Sequence, residues 1–342
     1  MPSPQDLLGE VAAGARLAEG PEGVRRILRT VFLEGAIPIR DLAQDVGLPV
    51  PVVAAVRGEL EKRKIFKRDG GVCLTEDGQA VVTDLLGLSC RRRFPGPLYP
   101  NVPADLETVL HRMEAICEGR PRVEVRLDQS HALAETALRR AIYLYGNDAL
   151  EGRDVLILGD DDLTSVAIGL LAGFLNLRIR RIVVLEFDRR LVAFLKAASG
   201  EFGTELDVIT HDLRQEIPAE LTRQFDVFLT DPPYTPEGLN LFVSRGVAAL
   251  RPVVGKQVFV CFGPRVPAET AAAVGALIEM GLAPMEILPN FNRYVGAQVL
   301  GGVSQMIRLI VTRPNLTPRV MGTYQGALYT ADRKRARRSD GR

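Results

Sequence analysis

Short apolar strands alternate with amphipathic helices over residues 151–315, and this alternation predicts an α/β fold with a mostly parallel, Rossmann-like sheet. Five strands are placed at Asp154–Leu158, Arg181–Glu186, Leu206–Thr210, Asp226–Thr230 and Gln257–Phe262. Two more, near Ala283–Leu288 and Ser304–Val311, follow each other with no long helix between them. Such a reversed closing pair is typical of the seven-stranded methyltransferase variant of the fold, which we therefore expect.

An N-terminal region of different character precedes this sheet. Apolar spacing predicts three helices, at Val24–Leu33, Ile39–Val46 and Val50–Lys62. Ile65–Leu74 then alternates around a Gly-Gly pair, which is a hairpin signal. Three helices and a two-stranded wing predict a winged-helix-like domain over residues 1–88. Its third helix mixes basic and acidic residues, so we expect packing or dimerisation rather than DNA readout.

Two further segments complete the predicted domain organisation. Residues 89–150 combine a proline-rich linker with two lead-in helices, at about Ala104–Glu118 and His131–Tyr145. Residues 316–342 end in a basic stretch that we expect to be disordered. Just before that stretch, Tyr324 and Tyr329 suggest a segment that folds over a site.

Composition excludes several classes of protein. The chain has 342 residues, 46% of them hydrophobic, and a formal net charge of +1, so nucleic acid is not an expected partner. The four cysteines form no CxxC pair and the three histidines are dispersed, which predicts no metal site and a reducing, cytoplasmic setting. Met1–Glu10 has no apolar run, so we expect no signal peptide, and Leu163–Leu177 is too short and polar to span a bilayer.

The predicted strands have acidic residues at their carboxyl ends, where open parallel sheets bind ligands. In a chain of balanced charge, this predicts a negative cleft and a cationic ligand. The four ends carry Gly159-Asp160-Asp161-Asp162, Glu186 with Asp188, His211-Asp212, and Asp231-Pro232-Pro233-Tyr234.

Two of these ends suggest an adenosine site. Glu186, with Asp188 beside it, is placed to accept both hydroxyls of a ribose. Asp212 is placed to accept from the exocyclic amine of adenine, although it can equally serve as an N-cap for the following turn. The alternative for Glu186 is a solvated charge at a strand end.

The Asp231-Pro232-Pro233-Tyr234 run predicts an amine site. Consecutive prolines restrict the backbone and leave carbonyls without local donors. Asp231 and a free carbonyl can then hold an amine nucleophile while Tyr234 packs on the substrate. The motif resembles that of amine-methylating enzymes; a turn that only ends a strand is the alternative.

The first loop departs from a methyl-donor site. The donor S-adenosylmethionine carries a carboxylate, and a carboxylate 4 Å from an aspartate is repelled by about 4 kcal/mol at an effective dielectric near 20. Decarboxylated S-adenosylmethionine ends in an ammonium instead, which Asp160, Asp161 and Asp162 would attract. The loop therefore favours an aminopropyl donor.

The chain resembles the N(4)-bis(aminopropyl)spermidine synthases, the branched-chain polyamine synthases of thermophiles. The resemblance covers nearly the whole chain and rests on three runs: 127–131 (Leu-Asp-Gln-Ser-His), 159–165 (Gly-Asp-Asp-Asp-Leu-Thr-Ser) and 231–235 (Asp-Pro-Pro-Tyr-Thr). It implies transfer of aminopropyl groups from decarboxylated S-adenosylmethionine, a co-substrate rather than a bound cofactor, to the internal amine of spermidine. It further implies two transfers that yield a quaternary ammonium, release of methylthioadenosine, and a homodimer.

The resemblance also implies roles for individual residues. Asp160, Asp161 and Asp162 correspond to the acidic residues of the family's loop, with Gly159 and Asp161 on the donor side and Asp231 beside the attacked amine. We assign general-base or orienting roles to Asp160 and Asp231. A permanent cation after the second transfer would be held by Asp162, Asp231 and the ring of Tyr234.

Asp128, Gln129 and His131 precede the first strand of the sheet and are candidates to line the cleft. The alternative is a capping box, in which Ser130 or Asp128 caps the following helix. Two rival functions remain open: a methyltransferase acting on an amine of nucleic acid or protein, and a regulator that senses a polyamine or nucleoside.

Overall fold

The computed structural model describes residues 4–94, 102–200, 205–295, 302–329 and 332. Within them lie eleven α-helices and nine strands. In chain order these are α1 (Pro4–Gly14), α2 (Gly20–Glu34), α3 (Ile39–Val46), α4 (Val50–Lys62), β1 (Phe66–Arg68), β2 (Val72–Leu74), α5 (Glu76–Ala80), α6 (Glu107–Glu118), α7 (Ala134–Gly146), β3 (Asp154–Leu158), α8 (Thr164–Leu175), β4 (Arg181–Glu186), α9 (Arg189–Ser199), β5 (Leu206–Thr210), β6 (Val227–Thr230), α10 (Pro236–Ala249), β7 (Gln257–Phe262), α11 (Pro267–Glu279), β8 (Leu282–Arg293) and β9 (Val303–Val311).

The N-terminal helices and hairpin form as predicted. α2, α3 and α4 are followed by β1 and β2, which pair antiparallel, and their buried apolar residues form one continuous cluster. α1 also packs into this cluster, through Leu8 and Val11, and was not predicted. Assignment of the region to the winged-helix class stays a prediction.

The predicted seven-stranded sheet is confirmed. Its strand order is β5-β4-β3-β6-β7-β9-β8, with β9 antiparallel to both of its neighbours and the other adjacent pairs parallel. Alternate residues of the central strand face opposite sides: Val155 and Ile157 pack with α7 and α8, while Leu156 and Leu158 pack with α10. The sheet is therefore the middle of three layers, which is why its central strands are apolar throughout.

The order of the strands reverses at β3. From β3 the chain adds β4 and then β5 on one side, and it then returns to the other side of β3 to form β6. The loops after β3 and β6 diverge at this switch point and leave a crevice between them. The triple-aspartate loop follows β3 and the Asp-Pro-Pro-Tyr run follows β6, so the topology brings the two motifs together.

Several predicted boundaries differ from the observed ones. β8 runs to Arg293 instead of Leu288, because its pairing with β9 continues past Pro289 through register shifts. An edge strand tolerates such a proline because one side of it has no strand to pair with. α7 begins at Ala134 rather than His131; its N-cap, Leu133, makes no side-chain capping bond, so the proposed cap by Ser130 or Asp128 is wrong.

A buried ion cluster joins the N-terminal helices to the amino-terminal edge of the sheet. Lys256 lies 2.5 Å from Glu22 on α2 and 2.6 Å from Asp226 before β6. Arg153 binds Glu22 through both terminal guanidinium nitrogens. Burial opposes ionisation of Glu22 and Asp226, but the surrounding cations hold the pKa of both carboxyls below their usual values.

Two remaining expectations concern the ends of the chain and the membrane. Leu328 and Tyr329 are buried against the α10 face of the sheet, so the segment with Tyr324 does fold back onto this domain. The basic stretch beyond 332 lies outside the described residues. In the described part of the chain, no helix has the length and apolar character needed to cross a bilayer.

Candidate active site

The loop after β3 is built around a buried carboxylate. Gly159 takes a left-handed conformation, with φ of 72°, and turns the chain out of the sheet. The side chain of Asp160 then accepts from the backbone N–H groups of Thr164 (2.7 Å) and Ser165 (3.1 Å) and from the Ser165 hydroxyl. Asp160 thus accepts hydrogen bonds from the backbone N–H groups at the start of α8, as a helix-capping residue does.

The next two aspartates hold the segment that leads into α7. Asp161 accepts from the backbone N–H of Ser130 at 3.2 Å, and Asp162 accepts from that of Ala132 at 2.6 Å. Arg120 adds bonds to the carbonyls of Asp161 and Ala132. The segment that contains Asp128, Gln129 and His131 is therefore bound to the triple-aspartate loop through Ser130 and Ala132, and the cleft-lining role of those three side chains stays a prediction.

A buried arginine connects this loop with the Asp-Pro-Pro-Tyr run. The side chain of Arg140, on α7, has no exposed surface and donates to Asp162 at 2.7 Å and to Asp231 at 2.8 Å. It also donates to Asn292 at 2.8 Å and to the Tyr294 hydroxyl at 3.0 Å. The acidic site therefore contains a positive charge that the sequence analysis did not anticipate.

Two tyrosines complete the surroundings of Asp231. The Tyr294 hydroxyl donates to Asp231 Oδ2 at 2.6 Å and accepts from the Tyr234 hydroxyl at 2.8 Å. The Tyr234 ring meets that of Phe262 edge to face, with centroids 5.7 Å apart. Asp231 and Tyr234 thus belong to one hydrogen-bonded chain through Tyr294, which the motif did not predict; packing of Tyr234 on a substrate stays a prediction.

The Asp-Pro-Pro-Tyr backbone is less open than the sequence analysis expected. Pro232 and Pro233 are buried, but the Pro233 carbonyl accepts from the N–H of Thr235 at 2.6 Å. Thr235 in turn caps α10 by accepting from Gly238. The Pro233 carbonyl therefore has a local donor, and the start of α10 packs closely against it at Gly238.

Burial shifts the pKa of the site's carboxyls upward. Desolvation raises the pKa of Asp160 to about 7 against the opposing hydrogen bonds of Ser165 and Thr164. Desolvation and Asp162 raise the pKa of Asp231 to about 7, while Arg140 and Tyr294 act in the opposite direction. The pKa of Asp161 is raised strongly by burial and by Asp162 and Glu186. Of these, Asp160 and Asp231 have pKa values close to neutral pH, where a general base is most effective.

The end of β4 forms a separate polar corner. Glu186 accepts from the backbone N–H of Asp160 at 2.9 Å and from that of Asp188 at 2.7 Å, and burial raises its pKa. Asp188 caps α9 and pairs with Arg190, and its pKa is lowered chiefly by that pair. Gln129 reaches Asp188 at 3.4 Å. The solvated strand-end reading of Glu186 is wrong, because this side chain is buried.

A cavity of about 470 Å³ opens beside this corner. It lies at the ends of β4 and β5 and is lined by Glu124, Leu127, Phe187, Asp188, Arg189, Arg190, Thr210, His211 and Asp212. Asp212 lines the cavity and accepts from the backbone N–H of Arg214 at 2.9 Å through Oδ1, so its capping role is confirmed. Phe187 is 45% exposed, which gives the cavity an aromatic wall.

His131 offers a buried acceptor near the aspartates. Its Nε2 is buried and has no hydrogen-bond partner within the described residues. Burial lowers the pKa of His131 to about 4, with Arg120 contributing, so the imidazole is neutral at pH 7. Asp128 next to it takes a left-handed conformation, with φ of 55°, and turns the chain toward the loop after β3.

The sequence did not predict the roles of Arg140, Asn292, Tyr294 and Phe187, nor that of Ser304, whose hydroxyl lies 2.9 Å from Asn292 Nδ2 and 2.8 Å from the Tyr294 hydroxyl. Arg140 stands in an amphipathic helix beside a second arginine, so nothing local distinguishes it. Asn292 and Tyr294 follow the predicted end of β8 and reach the site only because that strand continues. Phe187 could have been found, since it directly follows the proposed ribose-binding Glu186. Among the described ranges, no three His, Cys, Asp or Glu side chains are grouped to hold a metal ion.

Comparison with known proteins agrees with this site. Residues 108–331 match the family model for the C-terminal domain of branched-chain polyamine synthase A. The chain is 34% identical to the N(4)-bis(aminopropyl)spermidine synthase of Thermus thermophilus over 72% of its own length and 70% of the relative's. It is 30% identical to the enzyme of that name from Thermococcus kodakarensis, over 80% and 77% of the two chains.

A solved structure resembles nearly the whole chain. It is that of the branched-chain polyamine synthase from Thermus thermophilus, in complex with N4-aminopropylspermidine and 5'-methylthioadenosine. The match has a TM-score of 0.60 and 25% identity and covers 96% of this chain and 98% of that one. With its sheet, its acidic crevice and these relatives together, the chain belongs to the branched-chain polyamine synthase family.

Proposed function

We propose that this protein is an aminopropyltransferase that makes branched polyamines from decarboxylated S-adenosylmethionine and spermidine. The observation that carries the proposal is the meeting of Asp161, Asp162 and Asp231 at the switch point of the sheet. Such a crevice favours two cationic ligands. The solved relative, crystallised with an aminopropylated spermidine and methylthioadenosine, supports the same pair of ligand sites.

The donor's adenosine fits the corner formed by Glu186 and the neighbouring cavity. Glu186 would accept from the ribose hydroxyls, since each of its oxygens uses only part of its acceptor capacity on a backbone N–H. Asp212 would accept from the adenine amine, and Phe187 would stack on the base. Asp188 supports this corner by capping α9. The donor's ammonium then points toward Asp161, at the adjoining edge of the crevice.

The acceptor amine fits beside Asp231. Spermidine's internal nitrogen attacks the methylene carbon next to sulfur; a C–N bond forms, the C–S bond breaks, and its electron pair stays on the sulfur of methylthioadenosine. In the first transfer, the proton of the secondary amine passes to Asp231. A second transfer releases no proton and leaves a quaternary ammonium, which Asp162, Asp231 and the Tyr234 ring would stabilise. His131 Nε2 is an additional acceptor for the polyamine.

Asp160 fits a positioning role better than that of a base. Its two oxygens are occupied by donors of Thr164 and Ser165, which fix the start of α8 and the position of Asp161 and Asp162. Asp231, by contrast, makes its hydrogen bonds to Arg140 and Tyr294 through one oxygen, Oδ2. We therefore propose Asp231 as the general base and Asp160 as the support of the loop.

The decisive test is incubation with spermidine and either decarboxylated or intact S-adenosylmethionine, with products read by mass spectrometry. We expect methylthioadenosine and a spermidine heavier by one or two aminopropyl groups, from the decarboxylated donor only. A methylated product from the intact donor would contradict the reading of the aspartate loop and establish the rival methyltransferase. Specific operator binding without turnover would instead establish the regulator.

We also propose that the protein works as a cytoplasmic homodimer. The cysteines at 73, 90, 117 and 261 are free thiols, which suits a reducing compartment. The homodimer rests on the family resemblance. Light scattering coupled to size exclusion would test the dimer: a single monomeric mass at micromolar concentration would contradict it.

A further inference from the structure

We propose that Arg140 is a positioning residue that joins Asp162 to Asp231, favours the ionised form of Asp231 and aims both side chains at the same part of the crevice. The inference deepens the proposed function, since it assigns how the amine site is assembled. Arg140 does not line the cavity at the ends of β4 and β5, and in the proposed arrangement it contacts neither substrate. It acts through the two carboxylates that it joins.

The contacts of Arg140 use the whole guanidinium group. Nη1 donates to Asp162, Nη2 donates to Asp231 and Tyr294, and Nε donates to Asn292. These partners come from three separate segments: the loop after β3, the loop after β6, and the end of β8 with the residue that follows it. A planar fork can satisfy such a set from three nitrogens, whereas a lysine ammonium has one nitrogen and cannot reproduce the bonds to both carboxylates, Asn292 and Tyr294 together.

The charge balance explains why a cation is needed at this place. The titratable and charged groups that face Asp231 are Asp161 and Asp162 from the loop after β3, Arg140 from α7, Cys261 from β7, Tyr294 after β8 and Tyr234 after its own strand. Of these, Arg140 is the cation. Burial and the neighbouring Asp162 favour the protonated form of Asp231, and Arg140 opposes them. Without Arg140, Asp231 would be protonated over more of the pH range and could not act as the base that the first transfer requires.

The position of Arg140 also keeps it from competing with the substrate. It lies beneath the carboxylates, inside the protein, and its Asn292 contact anchors it away from the crevice. In the proposed arrangement the polyamine approaches Asp231, whose side chain is 11% exposed, from the side away from Arg140. Arg140 therefore offsets the repulsion between the aspartates while leaving their outer face negative.

The test compares Arg140→Met and Arg140→Lys with Arg139→Met. Arg139 is the matched control: it is the preceding residue of α7, is also buried, and packs its guanidinium over the Phe291 ring at 4.7 Å instead of binding the aspartates. The readouts are the pH profile of kcat/KM for aminopropyl transfer and the affinity for methylthioadenosine by calorimetry.

We expect Arg140→Met to lower kcat at pH 7 by about a hundredfold and to move the acid limb of the profile upward by at least about one pH unit, because an adjacent cation lowers a carboxyl pKa by roughly 1–3. For Arg140→Lys, both kcat at pH 7 and the position of the acid limb should lie between those of the wild type and Arg140→Met. Methylthioadenosine affinity should change less than about threefold, since the adenosine corner does not contact Arg140. Arg139→Met should leave the acid limb of the pH profile at its wild-type position.

Tyr294→Phe provides an independent test if the Arg140 variants do not fold. It removes one hydrogen bond to Asp231 Oδ2, so its acid limb should move in the same direction by a smaller amount. The proposal is overturned if the limb stays in place in the foldable variants, or if methylthioadenosine affinity falls in proportion to kcat. Failure of the proposed function is distinct: wild-type protein would then give no aminopropylated product.

Discussion

The ion cluster between the N-terminal helices and the sheet gives the sharpest stability prediction. Lys256 is 4% exposed at its side chain and lies between Glu22 and Asp226, at 2.5 and 2.6 Å. Lys256→Met keeps most of the side-chain volume but leaves two buried carboxylates with fewer cations. Removing one partner of a buried pair costs about 3–5 kcal/mol. Arg153 continues to bind Glu22, so we take about 3 kcal/mol as the expected loss in free energy of unfolding.

This loss translates into a measurable change in melting temperature. Unfolding entropy is roughly 2 cal/mol/K per residue, so for a cooperative chain of this length about 3 kcal/mol corresponds to a fall of about 4 °C in Tm. Differential scanning calorimetry at pH 7 would measure it. The control is Lys62→Met, whose side chain is 73% exposed and paired with Glu59 on the surface of α4; such a pair contributes about 0–1 kcal/mol.

The sign of the pH dependence follows from the lowered pKa values of Glu22 and Asp226. A carboxyl whose pKa is lowered by folding contributes stability that is present above its unfolded pKa, near 4, and is lost as pH falls through the folded value. The difference between wild type and Lys256→Met should therefore shrink below about pH 4. The reasoning is refuted if Lys256→Met melts within about 1 °C of Lys62→Met at pH 7, or if the difference grows in acid.

Three predictions concern the active site. Because burial raises the pKa of Asp231 to about 7 and the base must be ionised, kcat/KM should rise as pH increases through about 7; a rate profile already flat at pH 5 would exclude Asp231 as the base. Asp161→Asn should narrow the preference for decarboxylated over intact S-adenosylmethionine by roughly tenfold in a competition assay at alkaline pH, and by less at lower pH, because burial raises the pKa of Asp161 and only its ionised form repels the donor carboxylate; unchanged selectivity at alkaline pH would place the donor's charged end elsewhere. Phe187→Ala should weaken methylthioadenosine binding about tenfold through lost stacking, whereas Phe174→Ala, equally exposed on α8 but outside the cavity, should not; equal effects in calorimetry would remove Phe187 from the adenine site.

Most of the fold could be predicted from the sequence, because the sequence features that indicate strands and helices are local. Apolar runs of five or six residues identified β3, β4, β5 and β7 with their observed bounds. Turn residues bounded these runs, and helices between them required parallel pairing. β8 was cut short because Pro289 is a local signal for a strand end, whereas its continuation depends on pairing with β9, which is a long-range interaction.

The acidic character of the site was accessible for the same reason. Strand ends are readable in the sequence, and parallel topology places them at one edge, so Asp161, Asp162, Glu186 and Asp231 could be expected to meet. The role of each individual carboxylate could not be predicted from the sequence. Asp160 looked like a free acid, yet its oxygens are occupied by the start of α8.

The sequence by itself determined the sheet, the negative crevice and the family to which the chain belongs, since each depends on residue type and order. Only the tertiary structure decided which charges are compensated. Arg140 lies 91 residues before Asp231, and its contact at 2.8 Å exists because α7 packs across the carboxyl ends of β3 and β6. Compensation of charge depends on distance in space and on exclusion of water, and both arise only when the layers are packed together.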